Sequence, residues 1–393
     1  MVETDARRPL FAAACAGMFV FGIALALLGT LFGLPEMRAR LQVNLAQQGD
    51  LFLLLFSGVL VSSLLVGPLI DRTGNKVVLF VSALLVTLAL GGFAAADSFR
   101  FAAVAALLLG LGGGGLNTSA NVLVSDIYGD ERGPMLNLLG ISYGIGALLL
   151  PLLAASLTAI FTVRQLLLFM AALAALAAAA YALLRFPPAR EAPGFSVGEL
   201  LRVARYPGVL LLAGVLILQS GNEASIGGWT SSYLGSAGAA ATTATWVLAG
   251  YWTALMAGRL LAARLLRRIG KAQLVLAGGL GSVAGCAVLL AAGTPAGMAA
   301  GVMLAGLSFA PIYPTTFAIA GDRYARYSGT VFGLLFTVGT IGGMTFPWAI
   351  GQLGHSLGMR SGMLLPLAGA TLITLLAVVI RSREQRKQFD KLS

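Results

Sequence analysis

The chain has 393 residues, 58% of them hydrophobic and only 10% charged, with a mean hydropathy of +0.89. A soluble domain of this size carries about a quarter charged residues, so the surplus apolar surface must face lipid, and 51 glycines suit helices that pack closely through small residues. The two cysteines, Cys15 and Cys286, both fall in apolar runs, which argues against a disulfide framework or a metal site.

Apolar runs of about 20 residues or more, enough to cross a bilayer, occur at 10–34, 50–70, 77–96, 100–125, 134–160 and 164–185. After a polar stretch, six more follow at 208–234, 242–263, 272–293, 296–320, 328–353 and 361–380. This pattern predicts an all-α membrane protein of twelve transmembrane helices in two sets of six. The expected organisation is an N-terminal bundle over 1–185, a central cytoplasmic loop over 186–207, a C-terminal bundle over 208–381 and a cytoplasmic tail over 382–393. Phe11–Leu34 is too long for the apolar core of a cleavable signal peptide, so the first span is expected to stay.

The net charge of +11 invites a nucleic-acid reading, but its distribution follows the spans. With the N-terminus inside, 20 of the 26 Lys and Arg fall in cytoplasmic segments and five (Arg38, Arg40, Arg100, Arg164 and Arg360) fall outside, with Arg259 inside span 8. That split obeys the positive-inside rule with both termini cytoplasmic. The basic balance is a topology signal, and no nucleic-acid partner is expected.

The two halves repeat. Gly74 and Gly270, Gly110 and Gly306, Gly146 and Gly342, and Pro151 and Pro347 are each separated by 196 positions, in matching spans. RTGNK at 72–76 stands against RIGK at 268–271, and GALLLP at 146–151 against GGMTFP at 342–347. Several matches at one offset point to duplication of a six-helix unit.

Between spans 2 and 3 lies Gly67-Pro68-Leu69-Ile70-Asp71-Arg72-Thr73-Gly74-Asn75-Lys76. It resembles the major facilitator signature G-x-L-x-D-R-x-G-R-R/K and departs from it only at Asn75. Gly67 and Gly74 permit close helix approach and a tight turn. Asp71 is expected at the positive N-terminal end of span 11, with Arg72 and Lys76 on acids or lipid phosphates. The resemblance makes this motif a cytoplasmic latch in the outward-open state, with Gly67, Asp71, Arg72 and Gly74 as gating residues. It also implies two halves related by an axis along the membrane normal, with the substrate site between them.

Further residues are similar to the fucose permease and sodium–glucose transporter-like branch. They are Gly115-Leu116-Asn117-Thr118-Ser119-Ala120-Asn121 in span 4, Leu136-Asn137 and Gly144-Ile145-Gly146-Ala147 with Pro151 in span 5, and Gly221-Asn222-Glu223-Ala224-Ser225-Ile226-Gly227-Gly228-Trp229 with Tyr233 in span 7. Gly258-Arg259 in span 8 fits as well. The fucose permease branch couples protons through a span 1 aspartate and a span 4 glutamate. Here Leu25–Thr30 holds no acid and the span 4 position is Asn117, so coupling, where it exists, converges on Glu223.

Glu223 is the one acid of 15 deep inside an apolar span, where a charge is costly and by default marks a functional site. Three readings stand: a proton carrier, a neutral acid that only hydrogen-bonds across helices, and a sodium ligand together with Asn222. Gln219, one turn earlier, shares the face of Glu223, and the two suit bidentate hydrogen bonding to hydroxyls; with Asn222 they are candidate substrate contacts. Asn117 and Asn121 repeat that spacing in span 4, and with Asn137 and Tyr143 they are candidate substrate contacts; interhelical hydrogen bonding is the alternative for the amides. Trp229 follows Gly227-Gly228, which fits a bend and an aromatic floor under a sugar ring, although an interfacial aromatic belt accounts for aromatics in this region too. Tyr313 stands 196 positions after Asn117 and Trp348 follows Pro347; cavity lining and core packing both suit them. Arg259 is expected to pair with Asp322, as a gate or as a charge pair that stabilises the fold. His355 is expected in a solvated outer loop.

The combined expectation is a secondary active transporter working by alternating access in a bacterial inner (plasma) membrane. The favoured activity is cation (proton)-coupled symport of a monosaccharide or similar polyhydroxylated small solute. The alternative is a proton-coupled efflux antiporter of amphipathic compounds, which an apolar aromatic cavity and an unpaired Glu223 would favour. Without clustered His, Cys or paired carboxylates, and without a G-x-x-x-x-G-K-S/T loop, neither an enzyme nor a nucleotide-driven pump is expected, and no cofactor or metal. The expected partners are the small-molecule substrate, a proton or sodium ion, and membrane lipids, with the chain acting as a monomer.

Overall fold

The computed structural model describes residues 4–129, 132–187, 202–324 and 328–389. Every regular element among them is helical: α1 (Thr4–Leu31), α2 (Pro35–Leu41), α3 (Leu45–Thr73), α4 (Asn75–Ala95), α5 (Phe99–Tyr128), α6 (Arg132–Leu157) and α7 (Val163–Leu183), then α8 (Pro207–Ser236), α9 (Ala241–Leu265), α10 (Lys271–Ala291), α11 (Pro295–Phe309), α12 (Ile312–Arg323), α13 (Ser328–Leu357), α14 (Met359–Gly362) and α15 (Leu364–Phe389). Eleven stretches of helix among the described residues are long and apolar enough to cross a membrane, with α11–α12 and α14–α15 each forming one of them. The eighth span expected from the sequence corresponds to α9, which is not among these eleven. Its 25 residues reach about 37 Å at 1.5 Å per residue, but Thr242, Thr243, Thr245 and Arg259 dilute its apolar character.

Three boundaries differ from the sequence expectation. Spans 2 and 3 run together as α3 and α4, parted only at Gly74, whose φ of 80° and ψ of 162° are inaccessible to most side-chain-bearing residues. Span 10 is two helices. Pro311 has no N–H for the Leu307 carbonyl and Pro314 none for the Ala310 carbonyl, so the ladder fails between α11 and α12. The charged tail expected over 382–393 continues α15 as helix through Phe389.

The chain forms two compact units, residues 1–193 with 240–249 and residues 194–239 with 250–393. In the first, α1 packs on α6, while α3 and α4 pack on α5 and α7. In the second, α8 packs on α13, and α10 on α11 and α15. Spans 1 and 5 thus correspond to spans 7 and 11, and the duplication read from residue spacing reappears as a duplicated packing pattern. The repeat glycines mark the crossings. A methyl group at Gly146 would overlap the Phe19 carbonyl of α1, and one at Gly342 the Ile217 carbonyl of α8.

Candidate functional site

The second unit holds the charged centre. α8 is unbroken from Pro207 to Ser236 and runs through Gly227-Gly228 as helix. Its small residues let neighbours close in: Gly221 lies under the Phe346 ring of α13, and Asn222 presses against Gly369 of α15. Glu223 projects toward α9, where Arg259 Nη2 lies 3.7 Å from Glu223 Oε1. The two side chains are 16% and 31% exposed, so the pair lies in the apolar bundle yet is partly reachable by solvent.

This pairing corrects the one expected between Arg259 and Asp322. Asp322 closes the last turn of α12 and takes the Lys271 ammonium at the start of α10, an ion pair at one end of the unit. Arg259 stands six residues before the end of α9, deeper in the bundle, and the carboxylate within its reach is Glu223. The tyrosine rings of α9 and α12 complete the surroundings. Tyr251 Oη donates to the Glu223 main-chain carbonyl at 3.1 Å, and the Tyr313 hydroxyl lies within electrostatic reach of both Glu223 and Arg259. Tyr313 also packs on Phe317, with ring centroids 5.0 Å apart.

Gln219 behaves differently from the hydroxyl-binding role expected for it. It is wholly enclosed, and its Nε2 donates to the Phe309 carbonyl at 3.2 Å. Phe309 is the last residue of α11, so this bond satisfies a carbonyl at the break. Asn222 is equally enclosed, and neither Oδ1 nor Nδ2 has a hydrogen-bond partner among the described residues. Trp229 is buried rather than laid open as a ring floor, and its indole N–H donates to the Pro347 carbonyl of α13 at 3.0 Å. Trp348, the next residue, is exposed. His355 lies in the last turn of α13 rather than in a loop.

In the first unit, Asn117 is buried and Asn121 turns back on it, donating from Nδ2 to the Asn117 carbonyl at 2.8 Å and to its Oδ1 at 3.2 Å. The two amides therefore form a pair within α5. Tyr143 is buried with its ring 5.5 Å from that of Phe21. The side chain of Asn137 lies outside the described residues. In the signature segment, Gly74 makes the turn, while Asp71 and Arg72 are exposed. Lys76 does not seek an acid: its ammonium donates to the Ala182 and Leu184 carbonyls at 2.8 and 3.0 Å and closes the C-terminus of α7. Sequence reasoning missed Tyr251 and the Phe309 carbonyl as parts of the site. Pro311 was the signal for the second, since a proline inside an apolar run frees carbonyls that a neighbour must satisfy.

The chemistry on offer is that of one carboxylate, one guanidinium and one phenol held together in an apolar bundle. At 3.7 Å the carboxylate and guanidinium form a loose pair, which a proton or a hydroxyl group can separate.

Residues 14–238 and 212–392 match the Major Facilitator Superfamily. Sodium-dependent glucose transporter 1 of Rattus norvegicus is 30% identical over 142 residues, which span 35% of this chain and 28% of that protein. An uncharacterized transporter of Sinorhizobium fredii is 26% identical over 376 residues, 93% of this chain and 97% of that one. Among solved structures, a point mutant of the nucleoside transporter NupG superposes with a TM-score of 0.77 at 15% identity, covering 95% of this chain and 99% of that one. A D-xylose-proton symporter gives 0.77 at 13% identity, over 95% of this chain and 97% of that one. At these identities the likeness is one of fold.

Proposed function

The chain belongs to the Major Facilitator Superfamily, and from that membership we propose that this multi-pass transporter is a secondary active carrier of a monosaccharide or similar polyhydroxylated small solute. It works by alternating access, in symport with a cation, the proton, across a bacterial inner membrane with both termini cytoplasmic. The observation that carries this reading is the Glu223–Arg259 pair. Carboxylate, guanidinium and the Tyr313 phenol offer acceptors and donors side by side, which is what vicinal hydroxyls require. Protonation of Glu223 removes the charge that holds Arg259 and frees the guanidinium for the solute, so proton and substrate load together. A full charge carried across the membrane is worth about 2.3 kcal/mol per 100 mV, enough to drive accumulation. The pairing of Glu223 also removes one of the two features that would favour an efflux antiporter of amphipathic compounds.

The test is uptake into proteoliposomes from a panel of sugars, with proton and sodium gradients imposed separately. The expected result is accumulation of a sugar under an inward proton gradient. E223Q is expected to lose accumulation while retaining counterflow exchange. Full gradient-driven accumulation by E223Q would end the coupling role, and accumulation driven by sodium alone would replace the proton.

A further inference from the structure

Gln219 lies one turn before Glu223 on α8, and its two polar atoms are unequally used. Nε2 donates to the Phe309 carbonyl, and the side chain lies within hydrogen-bonding reach of Glu223. Oε1 is buried and has no partner among the described residues, a costly arrangement for an amide oxygen. The Phe309 carbonyl is the last of α11. The donor that a continuous helix would supply, the Tyr313 N–H, lies beyond the break at Pro311. One side chain therefore links the buried acid to the discontinuity between α11 and α12.

Among the described residues, the titratable groups recorded against this part of α8 come from α9 and α12. α9 contributes Arg259 and Tyr251, and α12 contributes Tyr313. α13 brings Gly339, Gly342 and Phe346 against α8, and α15 brings Gly369 and Leu376, none of which titrates. While Glu223 is ionised it accepts from its surroundings and has nothing to give to Gln219 Oε1. Once protonated, it leaves Arg259 and becomes an O–H donor, and the idle acceptor one turn away is Gln219 Oε1. Meeting that donor turns the amide plane over. The turn carries Nε2 off the Phe309 carbonyl, and the break loses its tie to α8.

We propose that Gln219 is a positioning residue that clasps the broken helix through the Phe309 carbonyl while Glu223 is charged and releases it when Glu223 is protonated. Proton binding on α8 thereby loosens the α11–α12 junction. This rests on the reading of Glu223 as the coupling acid.

The experiment is hydrogen–deuterium exchange of the amides over residues 305–316 in nanodiscs, on the acid and alkaline sides of the transport pH profile, corrected for intrinsic rates. In the unmodified protein, exchange is expected to be faster on the acid side by about five-fold or more, the low end of typical site-to-site coupling. Q219M is expected to exchange fast at both pH values because the clasp is gone. E223Q is expected to lose the pH response. P311A/P314A, which leaves Gln219 and Glu223 in place but permits a continuous helix, is expected to exchange slowly at both. A wild-type pH response in Q219M overturns the proposal; if that variant does not fold, the same response in P311A/P314A overturns it. Loss of the response in E223Q with its retention in Q219M sinks the Gln219 clasp alone. Retention in E223Q sinks the clasp and the coupling role of Glu223 together.

Discussion

Glu223 and Arg259 meet because consecutive helices are antiparallel and side chains lean toward the helix N-terminus. Glu223 lies 13 residues before Ser236 at the end of α8, and Arg259 lies 18 residues after Ala241 at the start of α9. Their Cα atoms therefore differ in depth by about 7.5 Å at 1.5 Å per residue. Glu223 leans away from the α8–α9 turn and Arg259 leans back toward it, which closes that gap. Taking away one partner of an enclosed pair strands the other charge, whereas taking away both does not. R259Q is accordingly expected to lose about 1–3 kcal/mol, between the exposed and buried limits, and E223Q/R259Q to recover most of it. Thermal melting of the solubilised variants reads this, and a wild-type melt for R259Q would strip the pair of energetic weight. The acid itself was legible from sequence, since no other carboxylate falls deep inside an apolar span. Its partner was not, because Asp322 and Glu223 are equal candidates until Lys271 is seen to occupy the former.

Helix ends use their cations in ways that charge counting does not reveal. Arg40, counted only as one of five residues outside, places Nε on the Ala96 carbonyl at 2.6 Å and Nη2 on the Phe93 and Ala94 carbonyls at 3.1 and 2.9 Å, which closes the C-terminus of α4. Lys76 does the same for α7 with two bonds. A cation on the last carbonyls joins hydrogen bonding to a favourable interaction with the helix dipole. The expected order of destabilisation is R40A, at about 2–3 kcal/mol for three charge-assisted bonds, then K76M at about 1 kcal/mol, then R72A with no measurable effect at its exposed site. Melting temperatures of the three variants test that order, and an R72A that melts lower than K76M would refute it. The long apolar spans were readable because lipid demands them. The break within span 10 was written in Pro311 and Pro314, but its consequence depends on which neighbour supplies a donor to Phe309. That neighbour, Gln219, is 90 residues away and is identified by packing rather than by pattern.

At the scale of the whole chain, the duplication sets which substitutions each unit tolerates. Gly110 of α5 crosses α3 against the Leu55 carbonyl, and Gly306 of α11 crosses α9 against Tyr251, so both the glycines and their partners are 196 positions apart. The crossings are equivalent in place and unequal in tightness. A methyl group at Gly110 would overlap the Leu55 carbonyl and stand 3.0 Å from the Gly58 Cα of the same helix, and backbone can yield only if the helices separate. A methyl group at Gly306 would stand 2.9 Å from the Tyr251 carbonyl and 3.0 Å from a Tyr251 ring carbon, contacts that a small tilt of the ring and helix relieves. Overpacking typically costs about 1–3 kcal/mol and more where backbone must shift. G110A is therefore expected to accumulate little monodisperse protein, while G306A is expected to elute as wild type with a melting temperature a few degrees lower. Fluorescence-detected size exclusion of the two variants decides the point. Equal, wild-type-like profiles would mean that the α3–α5 crossing opens as readily as its counterpart. The order G306A worse than G110A would mean that the second unit is the tighter of the two.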